Sequence, residues 1–92
     1  MKYAKNIIKD FIDTELENQY ILNDLSAISN LLNIVYCEYE CNQYNVIFNR
    51  RENRVVISDA VSEEYGVSQE QTRAVISYPE FINILSSSVD KS

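Results

Sequence analysis

The segment IVYCEYECNQYNVIFNRRENRVVIS (residues 34–58) changes side-chain character at every second position. From Ile34 to Cys41, Val35, Cys37, Tyr39 and Cys41 share one side, and Ile34, Tyr36, Glu38 and Glu40 share the other. Tyr44 to Arg50 alternates again with Val46 and Phe48 inward, and Arg54 to Ser58 does so with Val55 and Ile57 inward. A period of two is the signature of a half-buried strand. The connectors Asn42-Gln43 and Arg51-Glu52-Asn53 are short enough for hairpins, so the segment predicts a three-stranded antiparallel meander. One face would pack on helices and the other would meet solvent or a partner.

Helical spacing flanks the meander on both sides. Ala4, Ile7, Ile8, Phe11, Ile12 and Leu16 share one face over residues 3–17. A second stripe, Ile21, Leu25, Ile28 and Leu32, is rotated from the first, which predicts a break around Asn18–Tyr20. After the meander, Asp59 to Tyr65 reads as a short helix closed by Gly66, the chain's single glycine, at its C′ position. Ser68-Gln-Glu-Gln71 matches a capping box and predicts a helix with Ala74, Val75 and Tyr78 inward. Pro79 fits a first helical position, opening a last helix over Glu80–Ser86, with residues 87–92 frayed. The expected fold class is therefore α+β: N-terminal helices, a three-stranded antiparallel meander and C-terminal short helices. At 92 residues this is a single domain with one core.

Charge is distributed unevenly over this frame. Between Asp10 and Asn49 the chain carries Asp10, Asp13, Glu15, Glu17, Asp24, Glu38 and Glu40 and no lysine or arginine. Cations bracket the stretch, with Lys2, Lys5 and Lys9 before it and Arg50, Arg51 and Arg54 after it. The net charge is -6, so the surface as a whole is one-signed. Such a field repels nucleic acid and attracts cationic surfaces. Asp10, Asp13 and Glu17, spaced three and four, lie within about 60° of one another on a helix. Lysine at i+4, which a solvated helix ordinarily uses as counter-charge, is missing from that row.

Catalytic signatures are sparse. The chain has no histidine, the commonest general base and metal ligand, and one glycine cannot build a phosphate loop. Cys37 and Cys41 lie roughly 13 Å apart on a strand, beyond disulfide reach, and read as reduced, half-buried residues. Glu38 and Glu40 are roughly 6.6 Å apart along their strand, a glycosidase-like spacing, but a chain this short offers little room for a sugar cleft. The chain reads as a non-enzyme without a cofactor. The segment Ser62–Ser77 has a helix–glycine–helix outline, yet its second half holds one cation, Arg73, too few for duplex binding. No apolar run reaches the ~20 residues of a membrane span, and Lys9, Asp10 and Asp13 interrupt any signal-peptide core. Arg50, Arg51 and Arg54 at a hairpin tip either pair with acids of a second copy or solubilise the turn. Among the tyrosines, Tyr39 and Tyr44 read as core, and Tyr20, Tyr36 and Tyr65 as exposed.

Gathered on rigid elements, the acids could stand in for phosphates. The candidate DNA-mimicking carboxylates are Asp10, Asp13, Glu17, Asp24, Glu38, Glu40, Glu63, Glu64 and Glu70. In length, in Asn/Tyr/Ile-rich composition and in its acidic, histidine-free helix–meander–helix layout, the chain resembles the Arn anti-restriction proteins of T-even bacteriophages. The resemblance implies a DNA mimic that blocks a host restriction endonuclease of the modification-dependent McrBC type. It also implies a host cytoplasmic setting, a protein target with a basic DNA groove and an oligomer, for which a homodimer is the expected form. The acidic field and the lack of a long apolar run predict no direct nucleic-acid contact and no membrane. Two other expectations stay open: an acidic protein–protein inhibitor or adaptor of anti-CRISPR or immunity type that does not imitate DNA, and a subunit of an assembly. The last would present Ile34, Tyr36, Ile47 and Val56 as one apolar outer face.

Overall fold

A computed structural model describes residues 2–90 apart from Leu32. Leu32, Lys91 and Ser92, and the side chain of Ala4, to which expectations were attached, lie outside the described residues. The chain runs α1 (Lys2–Thr14), α2 (Gln19–Ser29), β1 (Tyr36–Glu40), β2 (Tyr44–Asn49), β3 (Arg54–Asp59), α3 (Ala60–Glu64), α4 (Gln69–Thr72), β4 (Arg73–Ile76) and α5 (Tyr78–Asp90). The sheet is antiparallel with strand order β1-β2-β3-β4. The architecture is α+β, as expected, but with four strands where the alternation pattern predicts three.

The fourth strand replaces the second half of an expected helix. Arg73-Ala-Val-Ile pairs with β3, placing Val55 beside Ile76 and Ile57 beside Ala74. Ala74 and Ile76 are buried, whereas Val75 is 58% exposed and faces outward with Arg73. Alternation, not helical spacing, governs these residues. Ser68 makes no side-chain cap bond, and α4 stops after four residues. A working capping box lies further along, at Ser77 and Glu80. Ser77 Oγ accepts from the Glu80 N–H at 3.3 Å and Glu80 Oε1 accepts from the Ser77 N–H at 3.2 Å. The helix it opens, α5, places Pro79 in its first turn and continues to Asp90.

Other local signals act as read. The break between α1 and α2 is held by Asn18, whose side chain accepts from the Tyr20 N–H at 2.9 Å. Gly66 adopts φ 86 and closes α3, with its N–H donating to Glu63 O and that of Val67 to Ser62 O. Tyr44, Val46, Phe48, Val55 and Ile57 line the inner face of the sheet. They meet Ile7 and Phe11 of α1, Leu22 and Leu25 of α2, and Phe81 and Leu85 of α5. Phe48 meets Phe81 edge-on at 5.5 Å, and Phe11 meets Tyr44 at 5.9 Å. Helices α1, α2 and α5 thus cover one face; on the opposite face α3 covers Ser58 at one end through Glu63, and the remainder stays open. Val35 is an exception to the strand reading: it precedes β1 and is exposed.

Candidate functional site

Three of the carboxylates singled out by the sequence accept a hydrogen bond from a tyrosine. Tyr44, buried at the start of β2, donates its phenol to Asp10 on α1. Tyr39 on β1 donates to Asp24 on α2 at 2.6 Å. Tyr36 donates to Glu38 at 3.2 Å on the open sheet face. The hydrogen bond to Asp24, aided by burial, pushes the Tyr39 phenol up to about 12. Burial first, and then Asp10, also raises that of Tyr44. Both phenols therefore keep their protons at neutral pH and act as donors. A neutral donor fixes a carboxylate without cancelling its charge, which a lysine or arginine would do.

Cations neutralise few of the acids. Among the described residues there are two salt bridges, Arg54–Glu52 and Arg73–Glu63. The first joins exposed neighbours at the hairpin tip. In the second, Glu63 Oε2 accepts from Arg73 Nε at 3.0 Å, Thr72 Oγ1 at 2.7 Å and Ser58 Oγ at 2.8 Å. The Arg73 hydrogen bond leads these in holding the Glu63 carboxyl at about 2, against an ordinary 4.5. Glu63 is thus committed to its own molecule. Asp13, Glu17, Glu40, Glu64 and Glu70 are exposed. Among the described residues these five make no side-chain hydrogen bond.

The nine candidates do not form one row. Asp10 and Asp13 lie on α1, Glu17 in the turn after it and not on the helix as its spacing predicts, Asp24 on α2, Glu38 and Glu40 on the outer sheet face, and Glu63, Glu64 and Glu70 at the α3–α4 end. Glu15, the seventh acid of the cation-free stretch, is 1% exposed. Its Oε2 accepts from the backbone N–H groups of Gln43 and Tyr44 at 2.7 and 2.8 Å, clipping the first hairpin to the helical layer. Its place beside Leu16 and four residues after Phe11 sets it on the buried side of the stripe, a signal present in the sequence.

No family model matches the chain, and no curated protein or solved structure matches it. The functional argument therefore rests on the side chains.

Arg50 is engaged inside the molecule. It donates to Ser29 O at the end of α2 at 2.9 Å and lies 4.5 Å from the centre of the Tyr78 ring. Both cysteines are free and half-buried, and burial, with Glu15 second, pushes the Cys41 thiol up to about 12. A thiol so placed is a poor nucleophile. Among the described residues, no three His, Cys, Asp or Glu side chains are grouped to hold a metal ion. Nor, among those residues, is any helix long and apolar enough to cross a membrane. Tyr20 and Tyr65 are exposed, and Glu38 and Glu40 stand on an open sheet and not in a cleft.

Proposed function

We propose that this protein is a small acidic inhibitor that seats its carboxylates in the basic DNA-binding groove of another protein. The observation that carries the reading is the tyrosine-held acids. Asp10, Asp24 and Glu38 are oriented by phenols, which bring no opposing charge. Asp13 stands exposed one turn beyond Asp10 on α1, and Glu17 is exposed in the turn that follows, because the helix stops at Thr14 and does not reach Leu16 and Glu17 as the spacing predicts. Charges positioned before binding lose little freedom on binding, unlike those of a floppy acidic tail. Duplex DNA presents one charge per ~1.7 Å of axis, and a decoy needs to match it only where the target places arginine or lysine.

On this reading the protein binds and does not catalyse. It needs no cofactor and acts in the cytoplasm of a bacterial host on a restriction endonuclease, the setting implied by the Arn resemblance. The α1 end is the first surface to test, because Asp10 and Asp13 on the helix and Glu17 in the turn after it follow one another closely along the chain. Cleavage of methylated duplex by a modification-dependent endonuclease should be inhibited by the native chain. The triple variant Asp10→Asn, Asp13→Asn, Glu17→Gln should fold normally and inhibit at least tenfold less, about 1.4 kcal/mol or more. Excess cleavage-resistant duplex should displace the native protein from the enzyme. Equal inhibition by the triple variant removes α1 from the site, and inhibition that duplex cannot relieve replaces the decoy with an adaptor.

A further inference from the structure

The hydrogen-bond register turns one set of β1 backbone groups away from the sheet. Arg50 donates its backbone N–H to Val35 O at 2.9 Å, and Cys41 donates to Tyr44 O at 2.8 Å, so both pairs are of the hydrogen-bonded kind. In an antiparallel ladder such pairs recur at every second position. Within β1 they fall at Cys37–Phe48 and Tyr39–Val46, so the N–H and C=O groups of Tyr36, Glu38 and Glu40 point away from β2. Among the described residues, no backbone hydrogen bond outside the ladder reaches these groups. The Cys37 thiol lies 3.8 Å from Glu38 O, a weak contact. At the opposite edge β4 is shorter, and α1 packs against it.

We propose that the β1 edge is a docking site for an extended basic segment of another protein, which joins the sheet as an added antiparallel strand. The side chains of β1 specify that segment. Glu38 and Glu40 are exposed on the outer face, and among the described residues neither is paired with a cation. Cys37 and Tyr39 are half-buried on the inner face. Side chains directly opposite one another across a strand pair share a face. The segment therefore carries lysine or arginine at alternate positions, opposite Glu38 and Glu40, with apolar residues between them beside Cys37 and Tyr39. A second copy of this chain fits poorly, because β1 paired with β1 about Glu38 sets that acid against itself.

The inference rests on the proposed function for the sign of the partner's charge, since a groove that holds phosphates is lined by cations. To that reading it adds the backbone. Strand addition draws affinity from main-chain hydrogen bonds and specificity from alternate side chains. Charge alone would hold a basic partner in any register, whereas the ladder admits one in which cations fall on the outer face.

The peptide acetyl-Lys-Val-Lys-Val-Leu-amide, run antiparallel to β1, sets its lysines opposite Glu40 and Glu38 and its leucine opposite Tyr36. Amide hydrogen exchange of the full chain, followed by NMR with and without this peptide, reads the added ladder. At about four times the peptide's Kd, exchange at Glu38 and Glu40 should slow about fivefold, the factor 1 + [L]/Kd. Cys37 and Tyr39, already bonded to β2, should change less. The same peptide N-methylated at its second lysine and its leucine keeps its charge and loses two donors, and it should bind about tenfold more weakly. Glu40→Lys, checked for folding by circular dichroism, should weaken the unmodified peptide about threefold or more. Equal binding of the two peptides overturns the proposal, because lysine then meets the acids without a ladder. So does the absence of binding up to about 5 mM peptide, or binding that leaves exchange at Glu38 and Glu40 unchanged. Slowed exchange along β1 that grows with the concentration of the chain alone also overturns it, by placing a second copy on the edge. Inhibition of the endonuclease and its relief by duplex are measured without the peptide, so either reading can fail while the other stands.

Discussion

The Glu63–Arg73 pair offers the sharpest test of how this fold is held together. Glu63 on α3 receives Arg73 and Ser58 from the two last strands and Thr72 from α4, joining three elements at one carboxylate. Glu63→Gln keeps an oxygen for the hydroxyl groups but removes the charge that faces the guanidinium. A depression from 4.5 to about 2 corresponds to about 3 kcal/mol at 1.36 kcal/mol per unit. The Arg73 side chain is 33% exposed, so solvent screening lowers this to about 1–3 kcal/mol. The sign follows from linkage. The folded carboxyl binds its proton less tightly than the unfolded one. The stabilisation is therefore complete above the unfolded value of 4.5 and is lost as pH falls towards the folded value of about 2.

Urea unfolding of native and Glu63→Gln chains at pH 7, pH 4 and about pH 2 reads this out. The variant should be about 1–3 kcal/mol less stable at pH 7, with the gap narrowing at pH 4 and nearly closed at the lowest pH. A gap that stays constant over the range would refute the reasoning. It would mean that the substituted amide disturbs packing or geometry, and that ionic pairing with Arg73 contributes little.

Glu15 should matter more than any exposed acid. Glu15→Ala leaves the backbone N–H groups of Gln43 and Tyr44 without their partner and should cost about 2–4 kcal/mol, seen as a lower urea midpoint, whereas Glu17→Ala should stay within about 0.5 kcal/mol. The two Ser-x-x-Glu/Gln motifs should separate in the same assay. Ser77→Ala removes a working cap and should cost about 1 kcal/mol, while Ser68→Ala should cost less than about 0.5 kcal/mol; equal losses would contradict the assignment.

Strands β1 to β3 were legible because each alternates over five or six residues and is bounded by polar connectors. β4 was not. Four residues give two alternations at most, and a preceding capping-box match made the helical reading stronger locally. Pairing with β3 settled the conflict, since Ala74 and Ile76 as strand residues fill the space under α1. Gly66 was legible because a lone glycine after a short acidic segment has few other uses. The acids were countable from the sequence, but their partners were not. Tyr39 and Asp24 stand fifteen positions apart, and Tyr44 and Asp10 thirty-four, distances over which no local pattern connects them. Arg50 was misleading for the same reason: the α2 carbonyl and the Tyr78 ring that engage it come from opposite ends of the chain.

The arrangement of donors explains how a chain with a net charge of -6 can hold its acids in place without losing the field they create. A surface lysine would have oriented Asp10 or Asp24 equally well, but it would have screened the carboxylate from an approaching cation. A phenol with a raised pKa supplies one hydrogen bond and no charge, leaving the carboxylate's other lone pairs outward. Where the fold does use an arginine, at Glu63, the carboxylate is drawn towards β3 and β4 and serves stability. Glu15 shows the limiting case, an acid spent wholly on backbone donors. The acids thus divide by the donors they meet: cations or backbone N–H groups for those that hold the fold together, tyrosine or no protein donor for those the proposed reading assigns to a partner. On that division Asp10, Asp13, Glu17, Asp24 and Glu38 are the group whose neutralisation should change binding without changing stability.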